Sequence, residues 1–278
     1  MKLLIALSLL LCFASAFEIR EPRNTQRERL ASIVQKEVVS SRISNGQRAA
    51  ANQFPYQADL RIDDGPRYRF CGGSLISNEW VLTAAHCTFT AEKVTVYLGS
   101  INHLDAIVQR EADRCDIKIH SEFEMDTARN DISVIKIPAV ICSDAIQPVS
   151  LPNPASRYSA YVYKTAVASG WGYTSDTDTS NSLVLNYAYF GVITNEKCAA
   201  SYYGSSIIYD GKICTAADDH IKLLRGDSGG PLVLASSNIQ IGIVSVTSMQ
   251  GFGTNLPAAY TRVTSYLDWI RDKTNIEI

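Results

Sequence analysis

From Ile43 onward the chain is divided into short apolar runs separated by turn residues, and that spacing limits the architectures open to it. Runs of strand length fall at residues 72–76, 81–85, 94–99, 132–137, 166–170, 183–192, 231–234 and 239–246. They are rich in Val, Ile, Thr and Tyr, which pack well on a pleated, half-buried surface. The pattern predicts an all-β sandwich or barrel. Only the C-terminal end reads as helix. There Val263, Tyr266, Leu267 and Ile270 recur at spacings of three and four, with Asp268 and Arg271 on other faces.

The chain has 278 residues, which suits one or two globular units. Charged residues make up 19% of it, too few for a largely disordered chain. A net charge of −2 removes the usual electrostatic ground for nucleic acid binding. No internal apolar run approaches the roughly 20 residues that a membrane span needs. No internal repeat or low-complexity tract is present.

The N-terminus has a different character. Lys2 supplies a positive start, residues 3–14 are almost wholly apolar, and Ala14-Ser15-Ala16 offers small residues for cleavage. Residues 1–16 therefore read as a secretory signal peptide, with an apolar stretch too short for a stop-transfer helix. Residues 17–42 hold six basic residues and four Glu, with no Cys and no Gly. They read as a pro-segment ending at Arg42, ahead of a domain covering residues 43–278. Removing the signal also removes Cys12. Six cysteines remain: Cys71, Cys87, Cys115, Cys142, Cys198 and Cys214. An even number in a secreted chain implies three disulfides, with the connectivity open. No Cys-x-x-Cys spacing suggests a zinc or redox site, and no metal or cofactor is expected.

The segment with the most chemistry is Arg225-Gly226-Asp227-Ser228-Gly229-Gly230-Pro231. A serine between glycines is a candidate nucleophile, because glycine lets the backbone turn tightly and leaves the hydroxyl exposed. An α/β-hydrolase would need its histidine after that serine. His86, His103, His120 and His220 all precede Ser228, so a lipase or esterase of that kind is excluded by order. His86 lies in Thr83-Ala84-Ala85-His86-Cys87. Its neighbour Cys87 could staple the loop to Cys71, a closure that would stabilise by roughly 3 kcal/mol. Asp131, in Asn130-Asp131-Ile132, puts a carboxylate at the mouth of an apolar strand. There it could accept from the imidazole N–H and fix its tautomer. His103, His120 and His220 show no metal-ligand spacing and read as surface or structural residues.

These segments resemble the chymotrypsin-like (trypsin-like) serine endopeptidases, and within them the arthropod digestive, brachyurin-like kind. The motifs are TAAHC, NDI and GDSGGP in His…Asp…Ser order. Phe54-Pro55-Tyr56-Gln57, Cys71-Gly72-Gly73-Ser74-Leu75, Gly170-Trp171-Gly172 and residues 262–270 also match. The resemblance runs from Ile43 to about Ile278. It implies two antiparallel six-stranded β-barrels with a C-terminal helix and a site in the cleft between the barrels. It implies His86 as base, Asp131 as orienting acid and Ser228 as nucleophile, with an oxyanion hole from the N–H groups of Gly226 and Ser228. It also implies a zymogen cut after Arg42, whose new Ile43 amine pairs with Asp227. Cys198 and Cys214 match a family pair. Cys115 and Cys142 match none, and parity pairs them with each other.

Two features depart from the family pattern. A family disulfide beside the specificity pocket is replaced by Leu224 and Phe252, which predicts a softer pocket wall. The family places a specificity residue six positions before the nucleophile, here Lys222, with Ser245, Val246, Thr247 and Ala258 also lining the substrate site. A lysine there disfavours basic substrate side chains by like-charge repulsion. It could point inward and select an acidic residue, or turn outward and leave a small apolar pocket. The expectation is a secreted, monomeric serine endopeptidase acting on proteins or peptides. Its partners would be an activating trypsin-like protease and protein protease inhibitors. The alternative is a catalytically impaired homologue acting as a secreted binding protein.

Overall fold

The polypeptide enters the described region as a two-residue strand, β1 (Gln47–Arg48), and then builds two sheets in succession. The computed structural model describes residues 46–173, 180–202, 206–217, 222–246 and 256–278. The first sheet comprises β2 (Gln57–Asp63), β3 (Tyr68–Ser77), β4 (Trp80–Thr83), β5 (Lys93–Leu98), β6 (Val108–Asp113), β7 (Ile117–Ile119) and β8 (Ser133–Lys136). Its order is β6-β5-β2-β3-β4-β8-β7, antiparallel throughout. A 3-10 turn at Arg114–Asp116 joins β6 to β7. One interrupted strand therefore pairs with β5 at one edge and β8 at the other, and this closes the barrel. The expected six strands become seven elements because that one strand is broken.

The second sheet holds β9 (Thr165–Gly170), β10 (Asn186–Ile193), β11 (Lys212–Thr215), β12 (Pro231–Leu234), β13 (Gln240–Val246) and β14 (Ala258–Arg262). Its order is β1-β10-β11-β14-β13-β12-β9, and a β9–β10 pairing closes it. These are six strands plus β1, which precedes the first barrel in sequence yet pairs with β10 of the second. Closure leaves few unpaired sheet edges, which would otherwise invite association with other chains.

Alternation explains the strands. In β2, Ala58, Leu60 and Ile62 are fully buried in the first barrel with a period of two. They pack with Leu75, Leu82, Val94, Val96 and Ile135. The second core is built from Ala166, Ala168, Phe190, Ile213, Leu232, Ile241 and Tyr260. The chain ends in a 3-10 turn (Val263–Tyr266) that runs into a helix (Leu267–Thr274), whose Leu267 and Ile270 are buried against the first core. No helix among the described residues is long and apolar enough to cross a membrane.

Among the described residues two disulfides form, Cys71–Cys87 and Cys198–Cys214. The pairing of Cys115 with Cys142 does not: both are exposed free thiols. Parity counts cysteines without geometry. Cys115 faces outward from the 3-10 turn between β6 and β7, and Cys142 lies past the end of β8.

Candidate active site

The part of the first barrel that carries His86 is held by a disulfide and one helical turn. β4 ends at Thr83, and a single-turn helix, α1 (Ala85–Thr88), carries His86 and Cys87. The Cys71–Cys87 bond ties this turn to β3. Asp131 reaches His86 from the loop before β8. It is completely buried. Its Oδ1 accepts the His86 backbone N–H at 2.8 Å, and its Oδ2 accepts from His86 Nδ1 at 2.8 Å.

Burial pushes the Asp131 carboxyl up, but the opposing pull is larger. His86, the buried Lys212 ammonium and the Ser245 hydroxyl together hold it below the ordinary aspartate range. A carboxylate only accepts, so His86 Nδ1 carries a proton, and in the neutral imidazole the lone pair then sits on Nε2. Such an imidazole can take a proton from a hydroxyl.

Local structure holds Asp131 in place. Asn130 sits at φ 52, a left-handed conformation that asparagine tolerates better than most residues. Its N–H donates to Tyr209 Oη at 2.9 Å, and its Oδ1 accepts from Tyr266 Oη at 3.0 Å. Thr261 Oγ1 of β14 donates to the Asp131 carbonyl at 2.8 Å. Ser245 Oγ of β13 donates to Asp131 Oδ2 at 2.5 Å. Ser245 is the extra residue of a bulge: Val244 pairs with Tyr260 and Val246 with Ala259. A bulge re-aims a side chain, and here it turns the hydroxyl toward Asp131.

Ser228 arrives from the second barrel and is bolted to the first. Its carbonyl accepts the Gly72 N–H at 2.7 Å. A Cβ on Gly229 would fall on the Thr83 hydroxyl and close to Cys87 Sγ. Gly229 has φ 77, so only glycine satisfies both constraints. The loop that bears Ser228 thus packs on the disulfide beside His86. No hydrogen bond joins Ser228 Oγ to His86 among the described residues, and Nε2 lies 3.7 Å from Cys87 Sγ. Neither the Gly226 nor the Ser228 N–H is taken by another described backbone carbonyl.

Asp227 points the other way. It is buried and accepts N–H groups from Gly172 and Leu224, each at 2.9 Å. Burial raises its carboxyl to about 7 against the pull of those two bonds. Among the described residues no basic side chain forms an ion pair with it.

Of the residues expected to line the substrate site, Lys222, Ser245, Val246 and Ala258 are half-buried. Arg42, Ile43, Thr247, Phe252 and His220 lie outside the described residues, as do residues 1–41. Leu224 is buried. His103 is structural, with Nδ1 2.7 Å from buried Asp59. His120 packs between the rings of Tyr266 and Trp269. Sequence reasoning assigned Ser245 only to substrate contact and overlooked its bond to Asp131. It also passed over Asn130, Tyr209, Lys212 and Thr261. A weak local signal existed at Asn130, an asparagine directly before the acid.

Residues 43–270 match the Trypsin family. The chain is 42% identical over 278 residues to a collagenase of Hypoderma lineatum, covering 99% of each protein. It is 39% identical over 236 residues to brachyurin of Leptuca pugilator, covering 84% of this chain and 99% of that one. A solved structure of HL collagenase is similar with a TM-score of 0.78 at 42% identity, covering 84% of this chain and 99% of that chain. Full-length likeness of this kind joins the paired barrels and the buried aspartate–imidazole pair in one conclusion: the chain belongs to the trypsin family and is a serine peptidase.

Proposed function

We propose that the protein is a secreted endopeptidase made as a zymogen, with Ser228 as nucleophile, His86 as its base and Asp131 as the acid that orients His86. Ser228 attacks a peptide carbonyl, His86 takes its proton, the N–H groups of Gly226 and Ser228 hold the oxyanion, and water resolves the acyl-enzyme. The observation that carries the reading is the two-point grip of buried Asp131 on His86, beside the loop that bears Ser228. Two disulfides fit an extracellular protein. Residues 1–16 serve as the signal and residues 17–42 as the pro-segment of a monomeric enzyme, 43–278. A trypsin-like protease is the activator, and protein inhibitors are the expected regulators.

Activation turns on Asp227. A buried carboxyl with two N–H bonds and no described cation is suited to receive a new ammonium. Cleavage after Arg42 supplies one at Ile43. A buried pair of this type typically costs about 3–5 kcal/mol to break, enough to order the neighbouring oxyanion loop. The uncut chain should react poorly with a fluorophosphonate probe, and the cut chain should be labelled at Ser228. Arg42→Gln, treated with the same activator, should stay unlabelled. Equal labelling before and after cleavage would overturn this switch.

Lys222 governs what the pocket accepts. Its charge opposes Arg or Lys in the substrate, whether it selects an acidic side chain or turns aside for a small apolar one. A peptide library read with the cleaved enzyme should give kcat/KM for basic residues roughly tenfold or more below the best non-basic residue. The similarity to a collagenase makes collagen a protein substrate to include. A preference for Arg or Lys would refute the role given to Lys222. A catalytically impaired binding homologue is not favoured, since every motif element of the triad is in place.

A further inference from the structure

Lys212 is a lysine with no exposed surface, deep in the second barrel, and the triad mechanism leaves it unused. It opens β11, directly opposite Thr261 of β14, whose other neighbour in the sheet is Ile243 of β13. Its Nζ donates to Ser245 Oγ at 2.7 Å and lies 3.5 Å from Thr261 Oγ1. Ser245 Oγ in turn donates to Asp131 Oδ2, the oxygen that also accepts from His86 Nδ1. An ammonium can only donate, so the Ser245 hydroxyl must accept from it and aim its own proton at the carboxylate. The chain of donors therefore has one direction: Lys212 to Ser245 to Asp131. An apolar residue in place of Lys212 would leave that hydroxyl without its donor and freer to rotate.

The surroundings keep the lysine charged near neutral pH. Burial lowers it to about 8, while the Asp131 charge pulls it back up. Asp131 faces it from the loop before β8. Tyr209 places its ring 6.0 Å away, and that ring is itself covered by the Arg129 guanidinium. Tyr266 is hydrogen-bonded to Tyr209, and Arg262 Nε donates to the Lys212 carbonyl. A buried cation with one carboxylate in reach has that carboxylate as its natural counter-charge.

We propose that Lys212 is a positioning residue of this peptidase: acting through the Ser245 hydroxyl, its ammonium fixes the Asp131 carboxylate on His86 and tempers the charge that His86 feels. The proposal rests on the triad reading given above.

The test uses the chain cleaved after Arg42. In Lys212→Met the cation is gone, so Asp131 favours the protonated imidazole more strongly. The acid limb of kcat/KM should then move up by about half a pH unit or more. Poorer placement of Asp131 should lower kcat about tenfold, with KM changed by less than about twofold. Lys212→Gln is one atom shorter but keeps an N–H donor to offer Ser245, without the charge. It should recover part of kcat while leaving the acid limb displaced, and it carries the test alone if the methionine variant does not fold. A merely structural lysine would move neither the limb nor the split between kcat and KM. Folded variants with an unmoved acid limb and kcat within about twofold of the parent would overturn the role of Lys212. Activity that survives Ser228→Ala would instead remove the triad reading beneath it.

Discussion

Ser228→Ala is expected to lower kcat for peptide hydrolysis by the cleaved chain roughly 10⁴- to 10⁶-fold. Its melting temperature should stay within about 2 °C of the parent. The contrast follows from how the residue is held. The backbone of Ser228 is fixed by the Gly72 N–H on its carbonyl, and Gly229 is wedged against Thr83 and Cys87. None of these contacts uses the hydroxyl. The side chain is only half-buried and makes no hydrogen bond among the described residues. Its loss therefore creates neither a core cavity nor an unpaired buried group. Only the covalent step disappears. Steady-state kinetics beside a thermal melt would check both halves, and turnover near the parental rate would refute Ser228 as nucleophile.

Asp131→Asn should cost about 10⁴-fold in kcat, about 5.4 kcal/mol of transition-state stabilisation. The carboxylate accepts three donors: the His86 N–H, His86 Nδ1 and Ser245 Oγ. An amide has one acceptor oxygen and brings an NH₂ group of its own. If the oxygen keeps the backbone N–H, the NH₂ meets His86 Nδ1 and forces the proton onto Nε2. The imidazole is then a donor toward Ser228, the wrong tautomer for a base. The Thr261 bond to the residue 131 carbonyl survives, so the loop should keep its path. KM should change little, because no substrate contact is removed. A drop of less than about tenfold would show that His86 does not depend on Asp131 for its tautomer.

Much of this was legible in sequence where the signal is local. Thr83-Ala84-Ala85-His86-Cys87, Asn130-Asp131-Ile132 and Gly226-Asp227-Ser228-Gly229 each bundle a functional group with the turn that presents it. Most apolar runs became strands within a few residues of their expected bounds. Segments with mixed polarity were harder. β6 reads Val-Gln-Arg-Glu-Ala-Asp, and it is a strand because β5 pairs with it across Lys93 and Asp113, with Lys93 also bonded to Glu111. β14 and β11 are short, and their partners lie far away in sequence. Lys212 was hidden for the same reason. A lysine at the head of Lys212-Ile213-Cys214 looks like a solvated strand end, and nothing nearby in the chain foretells Asp131 or Ser245. The cysteine count failed at Cys115 and Cys142 because an even number is arithmetic and carries no distance.

The groups proposed to react are divided between the two barrels. His86 and Asp131 belong to one barrel, Ser228 and Ser245 to the other, and a few polar contacts such as Gly72 to Ser228 and Ser74 to Gln240 keep them aligned. The larger apolar core crosses the seam, joining Leu60, Leu75 and Ile135 of the first barrel to Val167, Val233 and Ile243 of the second, while turnover depends on the polar contacts at its edge. A slight shift of those polar contacts would part Ser228 from His86 while most of the shared core stayed packed. Loss of function under stress should therefore come before loss of shape.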